Sequence, residues 1–280
     1  MLPPRLAGLI VAVFVAVECG SEEDPVTVVP PAASSEDVLW AVGDGTASGE
    51  AAELVKVMAA AEPRYVLYLG DVYEDGTAED FRENFDPTYG KLARRTWPTP
   101  GNHEWKNARR GYFSYWKNAR GRPLAPYYSF QVGRWTILSL NSEMRGRARS
   151  RQVRWLRGQL DDATTCRIAF WHRPRFSAGE QGDQEDVEPL WRAVAGRAAI
   201  VLAGHDHDSQ RFRPLEGTTS FVAGAGGREL YEVDEDDPRL AFGDDKHFAA
   251  LRIVLNGRTA ELAFVSNEGR VLDESRVRCR

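Results

Sequence analysis

Two of the five histidines in this 280-residue sequence lie one residue apart, in the segment GHDHD at 204–208. His205 and His207 follow the apolar run 198–203, which is typical of a buried strand. In an extended segment, residues i and i+2 point to the same side, so both imidazoles face one direction. Neutral imidazoles are common ligands of zinc, manganese and iron. The pattern predicts a metal site, although two solvent-facing histidines on a surface strand would have the same spacing.

Other potential ligands also follow short apolar segments. The residues at these segment ends are Asp44, Asp71, Asn102 with His103, His172, and His205 with His207. Because the carboxyl ends of strands in an α/β sheet gather at one edge, we expect these side chains to converge. Each one alone is equally consistent with a turn, a helix cap or a packed side chain. Together they exceed what one ion needs, and they predict two ions bridged by a carboxylate.

The elements that would position these residues alternate along the chain. Strands are predicted at 38–44, 64–71, 96–104, 166–172 and 198–203, a hairpin at 127–142, and helices at 49–63, 151–160 and 187–194. From Ser220 onward the sequence is typical of strands and turns. This order predicts an α/β fold with two stacked sheets flanked by helices.

Composition and charge exclude some functional classes. The chain is 42% apolar and 28% charged, which is ordinary for a globular protein, and its formal net charge is −5. Non-specific nucleic-acid binding usually needs a basic surface. The sequence therefore predicts no nucleic-acid partner.

Five short segments carry a resemblance to a known family. In order, they are GDG (43–45), GDVYEDGT (70–77), GNHE (101–104), WHRPRFSAG (171–179) and GHDHD (204–208). They resemble the motifs of calcineurin-like metallophosphoesterases, most closely the secreted bacterial relatives of purple acid phosphatases. The resemblance spans roughly residues 38–212. It implies a four-layer α-β-β-α sandwich of two mixed sheets flanked by helices, and a metal-dependent phosphoric ester hydrolase similar to acid phosphatases.

The resemblance also implies which residues hold two metal ions, each iron, manganese or zinc. The first ion would take Asp44 and His207, with Asp71 as the bridge. The second ion would take the remaining three ligands, Asn102, His172 and His205.

Further roles follow from the same resemblance. A metal-bound hydroxide would attack phosphorus directly, and His103 would protonate the leaving alkoxide or hold the phosphate. His103 could instead orient a neighbouring ligand. Arg173 and Asn141 are weaker candidates for contact with the phosphate ester, and surface or capping roles suit both equally well.

Two positions depart from the family pattern. Relatives that resemble calcineurin have a histidine two positions after the first aspartate, where this chain has Thr46. Purple acid phosphatases have a tyrosine three positions after the bridging aspartate, where this chain has Glu74, and Tyr73 comes one position earlier. Tyr73 is therefore an uncertain ligand of the first ion.

The amino-terminal residues predict export. Arg5 precedes an unbroken apolar run at 6–17, which fits a secretory signal and falls short of the ~20 residues that span a bilayer. We therefore predict a signal peptide at 1–19, with Cys19 as a candidate lipidated cysteine. Glu18 weakens the lipoprotein interpretation, because a small residue usually stands there.

The rest of the chain divides in two. Residues 20–36 contain three prolines and predict a flexible tether, and 37–280 predict one metallophosphoesterase domain. The protein would be periplasmic, extracellular or anchored at the cell envelope, with membrane contact only through a lipid or an uncleaved leader. Cys166 and Cys279 would form a disulfide in that oxidising compartment, or else remain as two free thiols.

Three functions stay open. The leading prediction is an exported phosphomonoesterase, and a phosphodiesterase or nucleotidase could use the same centre. A second class is a binding module that keeps the fold without catalysis. It is considered because Thr46 and Glu74 stand where relatives have ligands of the first metal. A third is a mononuclear zinc hydrolase that uses His172, His205 and His207.

Overall fold

The computed structural model describes residues 27–28, 37–162 and 165–279. The predicted signal peptide with Cys19, and all of the tether except two residues, lie outside the described residues. Among the described residues, no helix combines the length and the apolar character needed to cross a membrane.

The strands follow one another along the chain with connections that lengthen around the helices. They are β1 (Thr27–Val28), β2 (Asp37–Val42), β3 (Tyr65–Tyr68), β4 (Thr96–Pro98), β5 (Tyr128–Val132), β6 (Trp135–Ser139), β7 (Cys166–Phe170), β8 (Ile200–Ala203), β9 (Ser209–Phe212), β10 (Thr219–Ala223), β11 (Leu240–Asp244), β12 (Ala249–Asn256), β13 (Thr259–Ser266) and β14 (Val271–Arg278).

The helices lie mostly in the first two thirds of the sequence. They are α1 (Gly49–Ala60), α2 (Ala78–Asp80), α3 (Asn102–Trp105), α4 (Tyr112–Arg120), α5 (Gly146–Gln159) and α6 (Glu188–Val194). Short 3-10 or π-helical turns occupy Phe81–Phe85, Tyr89–Arg95 and Glu185–Val187.

The described strands form two mixed sheets. One has the order β1-β5-β6-β7-β8-β10-β9-β11 and the other the order β14-β13-β12-β2-β3-β4. Strands β2, β3 and β4 run parallel to one another, as do β6, β7, β8 and β10. Two parallel blocks therefore each present their carboxyl ends at one edge, where ligands bind in α/β folds.

Alternating side chains show how the sheets are layered. In β2, Leu39 belongs to the core between the sheets, whereas Trp40 packs with the apolar side of α1. In β6, Ile137 faces the same central core and Leu138 packs with residues of α5 and α6. Because successive strand residues point to opposite faces, each sheet is covered by its partner sheet and by helices. The predicted four-layer fold is confirmed.

Two predicted elements differ most from the observed ones. The strand predicted at 96–104 ends at Pro98, and α3 begins at Asn102. Pro98 and Pro100 lack a backbone N–H, so this stretch cannot continue a hydrogen-bonded ladder. Helix α5 begins at Gly146, five residues before the predicted start at Arg151. Its first turn is polar, and apolar periodicity therefore marks only its later turns.

A disulfide lies at the opposite end of the strands from the predicted ligands. Cys166, the first residue of β7, is joined to Cys279, which follows β14, with Cα atoms 5.4 Å apart. Because β7 and β14 belong to different sheets, the bond crosslinks the sandwich.

Candidate metal centre

Three predicted ligands meet at one point, and we call Asn102, His172 and His205 the second ligand group. The Nε2 atom of His172 lies 3.1 Å from Asn102 Oδ1 and 3.2 Å from His205 Nδ1. The same nitrogen lies 3.3 Å from Oδ2 of Asp71. Possible ligand atoms of Asp71, His172 and His205 all lie within 4.8 Å of one another. These four side chains can therefore bind one cation together.

Asp44, Tyr73 and His207 form a neighbouring cluster, which we call the first ligand group. The Tyr73 hydroxyl lies 3.1 Å from Asp44 Oδ1 and 2.8 Å from His207 Nε2. His207 Nε2 and Asp44 Oδ1 are 3.7 Å apart. The Tyr73 phenol thus reaches this cluster although its sequence position is one residue earlier than in purple acid phosphatases.

The ligands come from both sheets. Asp44, Asp71 and Asn102 follow β2, β3 and β4 of one sheet, whereas His172 and His205 follow β7 and β8 of the other. The centre therefore exists only where the carboxyl edges of the two sheets face each other.

Sharp turns after the strands aim several ligands inward. Asp44, Asp71 and His205 have φ angles of 60°, 63° and 75°, in the left-handed region that residues other than glycine seldom occupy. Such strain persists where the surrounding structure enforces it, and it is common at functional sites. A Cβ atom at Gly101 would lie 2.0 Å from Asp71 Oδ1, so the loop before Asn102 needs glycine to pass the Asp71 carboxylate.

Backbone carbonyls fix the orientation of two imidazoles. His172 donates from Nδ1 to the Leu69 carbonyl at 2.9 Å, and His207 donates from Nδ1 to the Glu229 carbonyl at 2.8 Å. Each ring therefore presents Nε2 to its ligand group, as is usual for histidines that bind metals.

Glu104 supports both Asp71 and the loop before Asn102. Its Oε2 accepts N–H hydrogen bonds from Asp71 at 3.0 Å and from Gly101 at 3.2 Å, and Glu104 is 1% exposed. The Asp71 carboxylate itself accepts from the His103 N–H at 3.0 Å through Oδ1, which leaves Oδ2 facing the cluster. Sequence reasoning missed this role, although a glutamate three residues after the N-cap glycine of α3 was a visible signal.

Burial and charge set the protonation of the histidines in both ligand groups. Burial alone would lower the pKa of His172, but the adjacent Asp71 carboxylate raises it to about 10. Burial, reinforced by the His172 charge and by Arg173, lowers the pKa of His205 to about 2. Burial also lowers the pKa of His207 to about 4. His205 and His207 are therefore neutral at pH 7, which is the form that binds metals.

With Asp44 ionised, as a metal ligand would be, acceptors outnumber hydrogens in the first ligand group. The Tyr73 hydroxyl has one hydrogen, but Asp44 Oδ1 and the Nε2 lone pair of His207 both face it. Burial, followed by the charges of Asp44 and Asp71, raises the pKa of the Tyr73 phenol far above its ordinary value. A cation between these atoms would satisfy the surplus lone pairs and favour the phenolate. The donor set therefore fits a metal ion of the kind that nitrogen and oxygen ligands prefer.

His103 lies at the exposed side of the centre. Its Nε2 is 3.8 Å from Asp71 Oδ2, its Nδ1 contacts the Glu74 carbonyl, and its side chain is 27% exposed. The ring centroid of Tyr73 lies 4.5 Å away. His103 therefore combines closeness to the centre with access to solvent, as a proton donor requires.

The two weaker candidates occupy different places. Arg173 lies beside the second ligand group, with Nη1 3.3 Å from His205 Nε2. Asn141 is completely buried, and its Oδ1 accepts from the Glu143 N–H at 2.9 Å. Its backbone N–H donates a hydrogen bond to Gln152 Oε1, and its carbonyl accepts one from Gln152 Nε2. Among the described residues, no hydrogen bond links Asn141 to either ligand group.

Two contacts at the first ligand group were not predicted, one from an aromatic ring and one from a guanidinium. Tyr231 stacks on His207 with ring centroids 4.0 Å apart, and the Arg228 guanidinium lies 4.7 Å from the centroid of the Tyr73 ring. Both residues lie in the loop after β10, for which the sequence carries no motif pointing to the site.

Comparisons with solved structures place the fold. The anchor protein GAP50 of the Plasmodium inner membrane complex superposes with a TM-score of 0.74 at 13% identity, covering 88% of this chain and 90% of that one. The yellow lupin purple acid phosphatase PPD1 superposes with a TM-score of 0.64 at 16% identity, and the match covers 88% of this chain and 54% of that one. A dimetal phosphatase from Danio rerio superposes with a TM-score of 0.59 at 13% identity, and the match covers 87% of this chain and 99% of that one. At these identities the likeness concerns the fold alone.

Sequence comparison identifies the family. No curated protein matches the chain. The family model for calcineurin-like phosphoesterases matches residues 39–209, which is more than half of the 280 residues and contains Asp71 and all six residues of the two ligand groups. The chain therefore belongs to the calcineurin-like phosphoesterases.

Proposed function

We propose that this protein is an exported phosphatase that hydrolyses phosphomonoesters at a centre of two metal ions. The observation that carries this proposal is that the two ligand groups adjoin: the His205 N–H donates to Asp44 Oδ2 at 2.9 Å, and Asp71 Oδ2 lies 3.3 Å from His172 Nε2. One cation would leave part of this buried donor set unmatched. Two cations with a shared carboxylate would match all of it.

Bound metal ions would polarise the phosphoryl group and supply a nucleophilic hydroxide near neutral pH. Asp44, Tyr73 and His207 would hold one of them. The second ligand group, Asn102, His172 and His205, would hold the other. The nitrogen and oxygen ligands suit iron, manganese or zinc.

The protein's own groups have distinct tasks in the proposed reaction. His103, 27% exposed beside the centre, donates a proton to the departing alkoxide from its ring. Arg173 lies beside His205 and orients a phosphate oxygen by donating N–H groups. The bridging carboxylate of Asp71 keeps its place because it accepts the His103 N–H on its other oxygen.

The export part of the proposal is supported by the apolar run 6–17 and the Cys166–Cys279 bond, which suits an oxidising compartment. Mass spectrometry of the mature protein would test it. A new amino terminus at Cys19 carrying lipid supports the lipoprotein form, and cleavage elsewhere in the leader supports a soluble exported form. An intact Met1 in a cytoplasmic fraction contradicts export.

A binding module on the same fold is the second candidate. It is favoured by the likeness to GAP50, which is named as an anchor, and by Thr46 at the place of a family metal ligand. A phosphodiesterase or nucleotidase differs from the leading proposal only in the pocket around the leaving group.

The decisive experiment combines metal analysis with two chromogenic substrates. The full chain is loaded with manganese, iron or zinc and offered a phosphomonoester and a phosphodiester, with Asp71→Asn as the inactive control. About two ions per chain and faster monoester hydrolysis support the proposal. Preference for the diester favours the alternative chemistry, one ion favours a mononuclear hydrolase, and two ions without turnover, or none, favour the binding module.

A further inference from the structure

The loop after β6 brings a buried carboxylate to the arginine beside the second ligand group. We propose that Glu143 is a positioning residue that holds the Arg173 guanidinium beside His205, so that Arg173 offers fixed N–H groups to the phosphate of the substrate. This inference rests on the proposed function and adds a residue to it. Glu143 itself would not touch the substrate.

The contacts of Arg173 define its position from several sides. Its Nε donates to both oxygens of Glu143, at 3.0 and 3.2 Å, and its Nη1 donates to Gln184 Oε1 at 3.3 Å. Its backbone N–H donates to Ser142 Oγ at 3.2 Å. Nη1 is also 3.3 Å from His205 Nε2. The guanidinium therefore has a specified place next to a predicted metal ligand.

Glu143 is itself well held. It is 7% exposed, its N–H donates to Asn141 Oδ1 at 2.9 Å, and one carboxylate oxygen accepts from Ser142 Oγ at 2.9 Å. Arg149 of α5 donates to the Ser142 and Met144 carbonyls on either side of it. A carboxylate fixed in this way can orient a flexible arginine, which otherwise has many rotamers.

Part of the guanidinium remains available. A guanidinium has five N–H groups, and Nη2 carries two of them. Among residues 37–162 and 165–279, Nη2 of Arg173 makes no hydrogen bond, and the side chain is 21% exposed. These N–H groups suit a tetrahedral oxyanion bound at the centre.

The sign of the effect separates positioning from simple electrostatics. If only the charge of Glu143 mattered, its removal would strengthen binding of an anion nearby, because a negative charge would be gone. If Glu143 positions Arg173, its removal lets the guanidinium leave and weakens anion binding. The two roles therefore predict opposite changes.

The experiment measures binding of inorganic phosphate to the metal-loaded full chain by calorimetry, and KM and kcat for a phosphomonoester. Glu143→Ala should weaken phosphate binding and raise KM by about tenfold, the order expected for one charge-assisted hydrogen bond. Glu143→Gln keeps an acceptor for Nε and should restore most of this loss. Neither variant should change the metal content.

Matched controls remove general effects of breaking an ion pair. Arg175 and Glu188 form a similar pair two residues further along the loop, with Arg175 Nε donating to Glu188. Glu188→Ala should leave phosphate binding unchanged. In an Arg173→Ala background, Glu143→Ala should cause no further loss.

The outcomes are distinct. Unchanged or tighter phosphate binding in Glu143→Ala, or an equal additional loss in the Arg173→Ala background, overturns the positioning role. If the wild-type protein binds phosphate but hydrolyses no ester, the proposed function fails while the binding series still decides the role of Glu143.

Discussion

Strand β7 has two ends with opposite characters. At its first residue, Cys166 is 1% exposed, bonded to Cys279 and surrounded by the apolar core between the sheets. Just past its last residue, His172 is completely buried among a carboxylate, an amide and a second imidazole. The Cys166 end stabilises the fold. The His172 end holds polar groups whose burial is costly without a cation. Substitutions at the two ends should therefore affect stability and activity separately.

The largest effect is expected at the bridge between the ligand groups. Asp71→Asn removes the negative charge shared by both groups, so metal content and phosphatase activity should fall together to background. Metal analysis and turnover of a chromogenic monoester measure both. Circular dichroism should show that the fold persists. Wild-type metal content in this variant would contradict the bridging role.

The next effect separates catalysis from metal binding. His103→Ala should lower kcat by about 10²–10⁴-fold, because a general acid contributes that much, while both ions remain bound. Steady-state kinetics and metal analysis test this together. If the variant turns over at the wild-type rate, His103 has no part in proton transfer.

At the other end of β7, Cys166→Ala combined with Cys279→Ala should reduce the free energy of unfolding by about 2–4 kcal/mol. The two cysteines are separated by 113 residues, so the bond restricts a long loop of the unfolded chain. Urea denaturation measures the loss. Activity below the unfolding transition should match wild type, and a large drop in kcat would break the contrast between the two ends.

The smallest effect tests the uncertain ligand of the first ligand group. Tyr73→Phe keeps the aromatic ring and removes the hydroxyl that lies 2.8 Å from His207 Nε2. Iron-loaded wild type should show a visible charge-transfer band that disappears in the variant, and affinity for the first ion should fall by at least about tenfold. An unchanged spectrum would remove Tyr73 from the ligand set.

Much of the fold was predictable because its signals are local. The helix at 49–63 is observed as Gly49–Ala60, with Ser48 capping its start, and the hairpin at 127–142 contains β5 and β6 as expected. The early start of α5 was missed because its first turn has no apolar period. Glu104 and Glu143 were missed as supports because their partners are backbone N–H groups and an arginine, which no motif specifies.

The sequence alone determined the kinds of candidate ligands and their order, because each one follows a strand that its own neighbours specify. It left the place of the Tyr73 hydroxyl undecided, since a shift of one residue in a loop changes where a side chain points. The tertiary structure decided this by bringing Tyr73 to His207, 134 residues away. It did so because Tyr73 follows β3 and His207 follows β8, which belong to different sheets. The edges of these sheets face each other only after the apolar faces have packed.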